Sequence, residues 1–363
     1  MTTNPATASG ELRGVFDQVF TAQDFALESG RILPEMRIAY ETYGRLAPGR
    51  RNAVLLTHGY TSNHHMVGRG GSTLAEGLWN SLVGPGKAVD TDRYFVVSSN
   101  MLGSSYGSTG PAHANPATGR PYGPDFPDIS LVDIVTAQRA LFQHLGISHL
   151  VAVIGPSYGG VQAFQWAVTF PGFMDGIVPV TAGIKSNGGA GLAALIAELE
   201  ADPHWNNGRY YDNGGVLDTL TRIRVRTLIS YGMRELLAAA FPDPAARQAE
   251  IERVARKWAA EFDANSLIVL GRASARFDVE QDLARIRSRV LYVLSRTDQI
   301  FPPSLAPVVM GRLQNAGVRA DYIEIDSELG HAAPGVDGAK WAPQLAAFMA
   351  QLGHDVSPAA DSR

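Results

Sequence analysis

Three observations on this chain predict an α/β fold, a mostly parallel sheet with helices on both faces. Short apolar, β-rich runs recur at 53–56, 94–98, 151–154, 177–180, 290–294 and 322–325, with helical or loop stretches between them. From 182 to 289 the runs stop and helical periodicity replaces them, which reads as a helical insertion over the sheet. Between the run 150–154 and a helix that Pro171 closes stands Gly155-Pro156-Ser157-Tyr158-Gly159, a sharp strand-to-helix turn with a serine at its apex.

The elements follow in order. Residues 1–23 are small and polar and read as a frayed arm. Within 25–43, FALESG and MRIAYETYG read as two antiparallel strands joined through Ser29-Gly30. The parallel part begins at 53. In the insertion, helices are expected over 190–200, 216–240 and 244–262. The last is capped by Asp243 with Pro244 in its first turn, and Ile251, Val254 and Trp258 share one face. That stripe suits core packing, with a subunit interface as the alternative. The domain reading is a core of 24–181 and 290–352, a lid of 182–289, and flexible termini at 1–23 and 354–363.

Composition limits the partners. The chain has 363 residues, a net charge of −4 and no cysteine. It is long enough to bury a large core, has no basic stripe for nucleic acid or an anionic membrane, and has no thiolate for catalysis or zinc. Its first residues lack the basic and apolar segments of a secretory leader, and no segment is apolar enough to span a bilayer. A soluble cytoplasmic protein with a small-molecule partner is expected.

A serine hydroxyl needs a base within reach and an acid that orients the base. In this chain order, Asp298 follows the run 290–294 and His331 follows 322–325, both just past a strand's carboxyl end, where sites of open α/β sheets lie. Ser157, Asp298 and His331 are therefore the expected nucleophile, acid and base. Asp326 and Glu328 compete for the acid's role but do not follow the preceding strand. The oxyanion needs two backbone donors: Tyr158, directly after the serine, and Tyr60, in the Gly59 turn after 53–56. His58, His64 and His65 in that loop lack the spacing of a zinc helix and an obvious carboxylate partner, so no metal is expected. The clusters at 68–71, 84–87 and 188–191 match no nucleotide fingerprint, and no cofactor is expected.

Over about 25–348 the chain resembles the homoserine O-acetyltransferase family of the α/β-hydrolase fold. The segments that carry the likeness include GPGKAVDTDRYFVVSSNMLGSSYGSTGP, NPATGRPYGPDFPDISLVDIV, GPSYGG, WNNGRYY, FDANSLIVL, TDQIFPP and IDSELGHAA. The resemblance implies an acyl-enzyme mechanism, a helical lid over an active-site tunnel and a homodimer through lid helices. It supports Ser157, Asp298 and His331, and it aligns Arg224 and Tyr231 with the family's carboxylate-binding arginine and a neighbouring tyrosine. A solvated surface position is the other reading of Arg224.

Departures from the family pattern bear on substrate. The family's aspartate after the histidine, which holds the substrate's ammonium, is replaced here by Ala332, followed by Ala333 and Pro334. GPSYGG replaces the usual elbow, HGYTSNHH the usual oxyanion loop, and Gly232 the arginine after the tyrosine. A buried ammonium without its counter-charge costs several kcal/mol. The sequence therefore favours a serine esterase acting on short acetate-type esters. The alternatives are an O-acyltransferase moving acetyl from acetyl-CoA to homoserine or another alcohol and, more remotely, a non-catalytic binding protein.

Overall fold

A computed structural model describes residues 17–68, 77–186 and 189–352 of the chain. Two long antiparallel strands, β1 (Gln18–Ala26) and β2 (Ile32–Tyr43), lead into β3 (Ala53–Thr57), a short parallel pair β4 (Val83–Gly84) and β5 (Val89–Asp90), and β6 (Phe95–Ser99). Helix α1 (Leu131–His144), β7 (Leu150–Pro156), α2 (Tyr158–Thr169) and β8 (Met174–Val180) complete the first part of the core. Next come five helices: α3 (Ala190–Glu200), α4 (Leu217–Ser230), α5 (Met233–Leu236), α6 (Pro244–Ala259) and α7 (Ala264–Ala275). The chain then returns through β9 (Arg289–Ser295), α8 (Ala306–Asn315), β10 (Ala320–Ile325), α9 (Ala333–Val336) and α10 (Ala342–Leu352).

The main sheet has eight strands in the order β1-β2-β6-β3-β7-β8-β9-β10, parallel from β6 to β10 and antiparallel at the β1–β2–β6 edge. Alternate residues of a strand face opposite sides of the sheet, and the two cores follow that period. Leu55, Val97, Val153 and Ile177 meet Phe142 of α1, Trp166 of α2 and Leu313 of α8. Leu56, Val96, Ile154 and Val178 meet Leu345, Phe348 and Met349 of α10. With both faces covered, the central strands read as continuous apolar runs.

The N-terminal arm and the second helix of the insertion need correction. The arm predicted over 1–23 is strand from Gln18 onward, because the alternating Val19 to Ala26 pairs with β2. Residues 1–16 and 354–363 lie outside the described residues. The helix expected over 216–240 breaks at Gly232, whose φ of 92° a helix cannot contain. The α6 stripe resolves as core: Ile251 and Ala255 pack with Leu228 and Met233, and Trp258 packs with Leu220 and Ile223. Among the described residues no helix is long and apolar enough to cross a membrane.

The turn between β7 and α2 depends on close backbone approach to β3. A Cβ at Gly155 would stand 2.1 Å from Thr57 Oγ1, and one at Gly159 2.2 Å from the Thr57 carbonyl oxygen. Thr57 Oγ1 donates to the Gly159 carbonyl at 2.9 Å and fixes the approach. Gly159→Ala should lower the unfolding free energy by about 1–3 kcal/mol, the cost of overpacking a rigid contact. Urea denaturation checks this, and an unchanged midpoint would show that the turn relaxes freely.

Candidate active site

Ser157 sits at the N-cap of α2 with φ 56° and ψ −121°, a conformation that costs a non-glycine residue about 1–3 kcal/mol. The segment is held on both sides: the Ser157 amide donates to the Val180 carbonyl at 2.8 Å, and its carbonyl accepts from the Val161 amide at 3.0 Å. The side chain thereby faces a cavity that His331 also lines.

Asp298 and His331 come from the loops after β9 and β10, and the parallel pairing of those strands brings the loops together. His331 Nδ1 lies 2.8 Å from Asp298 Oδ2, with the carboxylate fully buried and the imidazole nearly so. The other carboxylate oxygen accepts from the Ile300 and Phe301 amides at 2.8 and 3.2 Å. All the close partners of Asp298 are donors, and its bond to His331 assigns the Nδ1–H tautomer, which turns Nε2 away from the carboxylate. Thr297 and Gly330 join the two loops, the Gly330 amide donating to Thr297 Oγ1 at 3.0 Å. The rival acids point elsewhere, since Asp326 and Glu328 both pair with Arg296 at the surface.

Tyr158 opens α2, so its amide has no helical carbonyl to bond. Gly59 brings the neighbouring loop close, as a Cβ there would lie 3.8 Å from Ser157 Cβ. The two tyrosine rings stack at 5.7 Å, and their hydroxyls donate to the Leu267 and Leu270 carbonyls of α7, so the Gly59 loop and the serine turn are both fastened to α7. Sequence reasoning missed the brace beneath. Buried His58 bonds Asn100 Oδ1 at 2.8 Å, Asn100 donates to the Ser105 carbonyl at 2.6 Å, and Gln162 donates to the His58 carbonyl at 3.2 Å. No local motif marks those residues, because the partners lie 42 and 104 positions from His58.

The premise that the loop histidines lack carboxylates is also corrected. Asp17 Oδ1, just before β1, lies 3.4 Å from His64 Nε2, and Glu41 Oε1, on β2, lies 2.7 Å from His65 Nδ1. These contacts tie the loop to the β1–β2 edge of the sheet.

The lid places Arg224 and Tyr231 in the site. Arg224 is 3% exposed, which overturns its surface reading. Its guanidinium lies over Trp258 at 4.7 Å and donates to Thr61 Oγ1 at 2.6 Å, while its buried Nε has no hydrogen-bond partner. Burial lowers its pKa and raises that of the Tyr231 hydroxyl, which shares a hydrogen bond with Thr61. The Tyr231 ring lies 4.9 Å from the His331 ring, and its carbonyl accepts from the Ala332 amide at 3.1 Å. Gly232 permits this closeness, since a Cβ there would be 2.7 Å from the Leu329 carbonyl oxygen.

A strained serine after a central strand, with an Asp–His pair from the ends of the last two strands, is the layout of a serine-type enzyme on an α/β-hydrolase scaffold. Residues 52–328 match the family model described as alpha/beta hydrolase fold. Homoserine O-acetyltransferase of Symbiobacterium thermophilum is 39% identical over 85% of this chain and 87% of its own. That of Haemophilus influenzae is 37% identical over 88% and 94%. Among solved structures, esterase E22 is 29% identical with a TM-score of 0.85, covering 93% of this chain and 100% of its own. Homoserine O-acetyltransferase of Bacillus anthracis is 27% identical with a TM-score of 0.84, covering 95% and 99%. The chain belongs to the homoserine O-acetyltransferase family of α/β-hydrolase-fold proteins.

Burial pushes His58 down from 6.5 to about 4. A base whose folded pKa is depressed stays neutral in the fold, so its contribution is complete above pH 6.5 and is lost as pH falls toward 4. Chemical unfolding across that window should show stability falling by roughly 3 kcal/mol from this group alone. A flat profile would contradict the burial of a neutral His58.

Proposed function

We propose that this protein is an O-acyltransferase that carries a short acyl group on Ser157 from acyl-CoA to the hydroxyl of a small alcohol. The observation that supports this most is the similarity, over most of both chains, to relatives named homoserine O-acetyltransferase. In this reading Ser157 Oγ attacks the thioester carbonyl while His331 Nε2 takes its proton, and Asp298 stabilises the imidazolium. The Tyr60 and Tyr158 amides hold the oxyanion, a type of contact worth about 3–4 kcal/mol per donor at the transition state. Collapse expels the CoA thiolate, which leaves with the proton from His331. The alcohol then repeats the sequence in reverse: its oxygen bonds to the acyl carbon as its proton passes to His331, the Ser157 Oγ–acyl bond breaks, and Oγ takes that proton back.

Hydrolysis is a second reading, with water in place of the alcohol. Two observations favour it: the likeness to esterase E22, and Ala332 at the position after His331. Thiol release from acetyl-CoA separates the two. Release that requires an added alcohol, homoserine included, supports transfer. Alcohol-independent cleavage of CoA thioesters or simple acetate esters moves the assignment to hydrolysis.

Ser157→Ala should reduce either activity by roughly 10³-fold or more, as should His331→Ala. Glu328→Ala should stay within a few-fold of the parent in steady-state assays, because its carboxylate is engaged with Arg296 at the surface. Equal losses at Glu328 and Asp298 would undo the acid assignment.

A further inference from the structure

The two cavities that meet at Ser157 have an unbalanced charge. Arg224 is the cationic side chain among their described lining residues, and none of those residues is a carboxylate. Nor can nearby acids serve. Asp298 has both oxygens committed, to His331 and to two backbone amides, behind the imidazole. Asp326 and Glu328 face Arg296 outside, and Glu41 is buried against Tyr43 and His65. Around the site the wall is apolar: Met66, Leu78, Trp79, Ala332 and Pro334.

A guanidinium that is almost fully buried and lines the cavity, with no acid paired to it among the described residues, asks for an anion. A carboxylate matches its planar fork with two parallel bonds. An ammonium on the same ligand would meet the reverse: a cation already in the pocket, apolar walls, and no counter-charge to replace its water. On the reading that Ser157 carries the acyl group, and with Arg224 holding a carboxylate as the family resemblance implies, we propose that the alcohol it serves is a short hydroxy acid without an amino group.

The selection works in either direction of reaction. In transfer, the hydroxyl of the hydroxy acid attacks acyl-Ser157: the new ester C–O bond forms, the Ser157 Oγ–carbonyl bond breaks, and the hydroxyl proton returns through His331 to Ser157. In hydrolysis Ser157 Oγ bonds to the acyl carbon of the O-acylated hydroxy acid as His331 takes its proton, the ester C–O bond breaks and the hydroxy acid leaves with that proton. Water then attacks acyl-Ser157, the acid is released, and the water's proton passes through His331 to Ser157 Oγ. The carboxylate sits on Arg224 in both, so preference is read without knowing which direction dominates.

The test is a matched pair differing only in the amino group: 4-hydroxybutyrate against L-homoserine as acceptors with acetyl-CoA, and their O-acetyl esters as substrates for cleavage, on the full-length protein. p-Nitrophenyl acetate is the uncharged control. The expected result is a kcat/KM at least about tenfold higher for the des-amino member, as one uncompensated buried charge would impose. Ala332→Asp, which sets a carboxylate on the cavity wall, should narrow or reverse that ratio. Arg224→Gln should raise KM more for the anionic ester than for p-nitrophenyl acetate. A homoserine rate equal to or above that of 4-hydroxybutyrate overturns the proposal. So does failure of both members while p-nitrophenyl acetate is cleaved in a Ser157-dependent way, an outcome that leaves the Ser157 reading standing. Absence of Ser157-dependent turnover of every substrate overturns the acyl-serine reading itself.

Discussion

The site depends on one close contact, the packing of Gly155 and Gly159 against Thr57 of the neighbouring strand. Without it, β7 could not turn into α2 within one residue, and Ser157 would relax into an ordinary helical or extended conformation. The strain at φ 56° is kept because Thr57 Oγ1, the Val180 carbonyl and the buried face of α2 all fix the residues on either side. The reward is positional. The hydroxyl stands at the carboxyl edge of the sheet, at the amino end of α2.

From that fixed point, parallel pairing supplies the rest. Neighbouring strands deliver their following loops to one edge, so residues 141 and 174 positions beyond the serine reach it without any motif linking them in sequence (298 − 157 and 331 − 157). The lid then closes the site through specific ties rather than general cover. Tyr60 and Tyr158 bond carbonyls of α7, the Tyr231 carbonyl bonds Ala332 beside the histidine, and Gly232 lets α4 and α5 press against Leu329.

Much of this was legible in the sequence because strand ends and a serine turn leave local marks. Ser157, Asp298 and His331 could be placed from the apolar runs before them, and the structure joins the latter two at 2.8 Å. What local pattern could not carry was long-range pairing. His58 finds Asn100, the loop histidines find Asp17 and Glu41, and Glu328 is removed from contention by Arg296 across two strands. Burial of Arg224 was equally hidden, because an arginine on an amphipathic lid helix reads as solvated until Trp258 and Thr61 are seen around it. The strand at Gln18–Ala26 was cut short by its polar composition, although its alternation fits an exposed edge strand.

On the proposed function, Ser157 becomes acylated during turnover. Rapid quenching of the protein with acetyl-CoA or p-nitrophenyl acetate, followed by intact mass and peptide mapping, tests it directly. The account predicts one acetyl increment per chain, located on Ser157 and lost on standing or when an acceptor is added. An increment on another residue, or turnover that proceeds undiminished in Ser157→Ala, would contradict it.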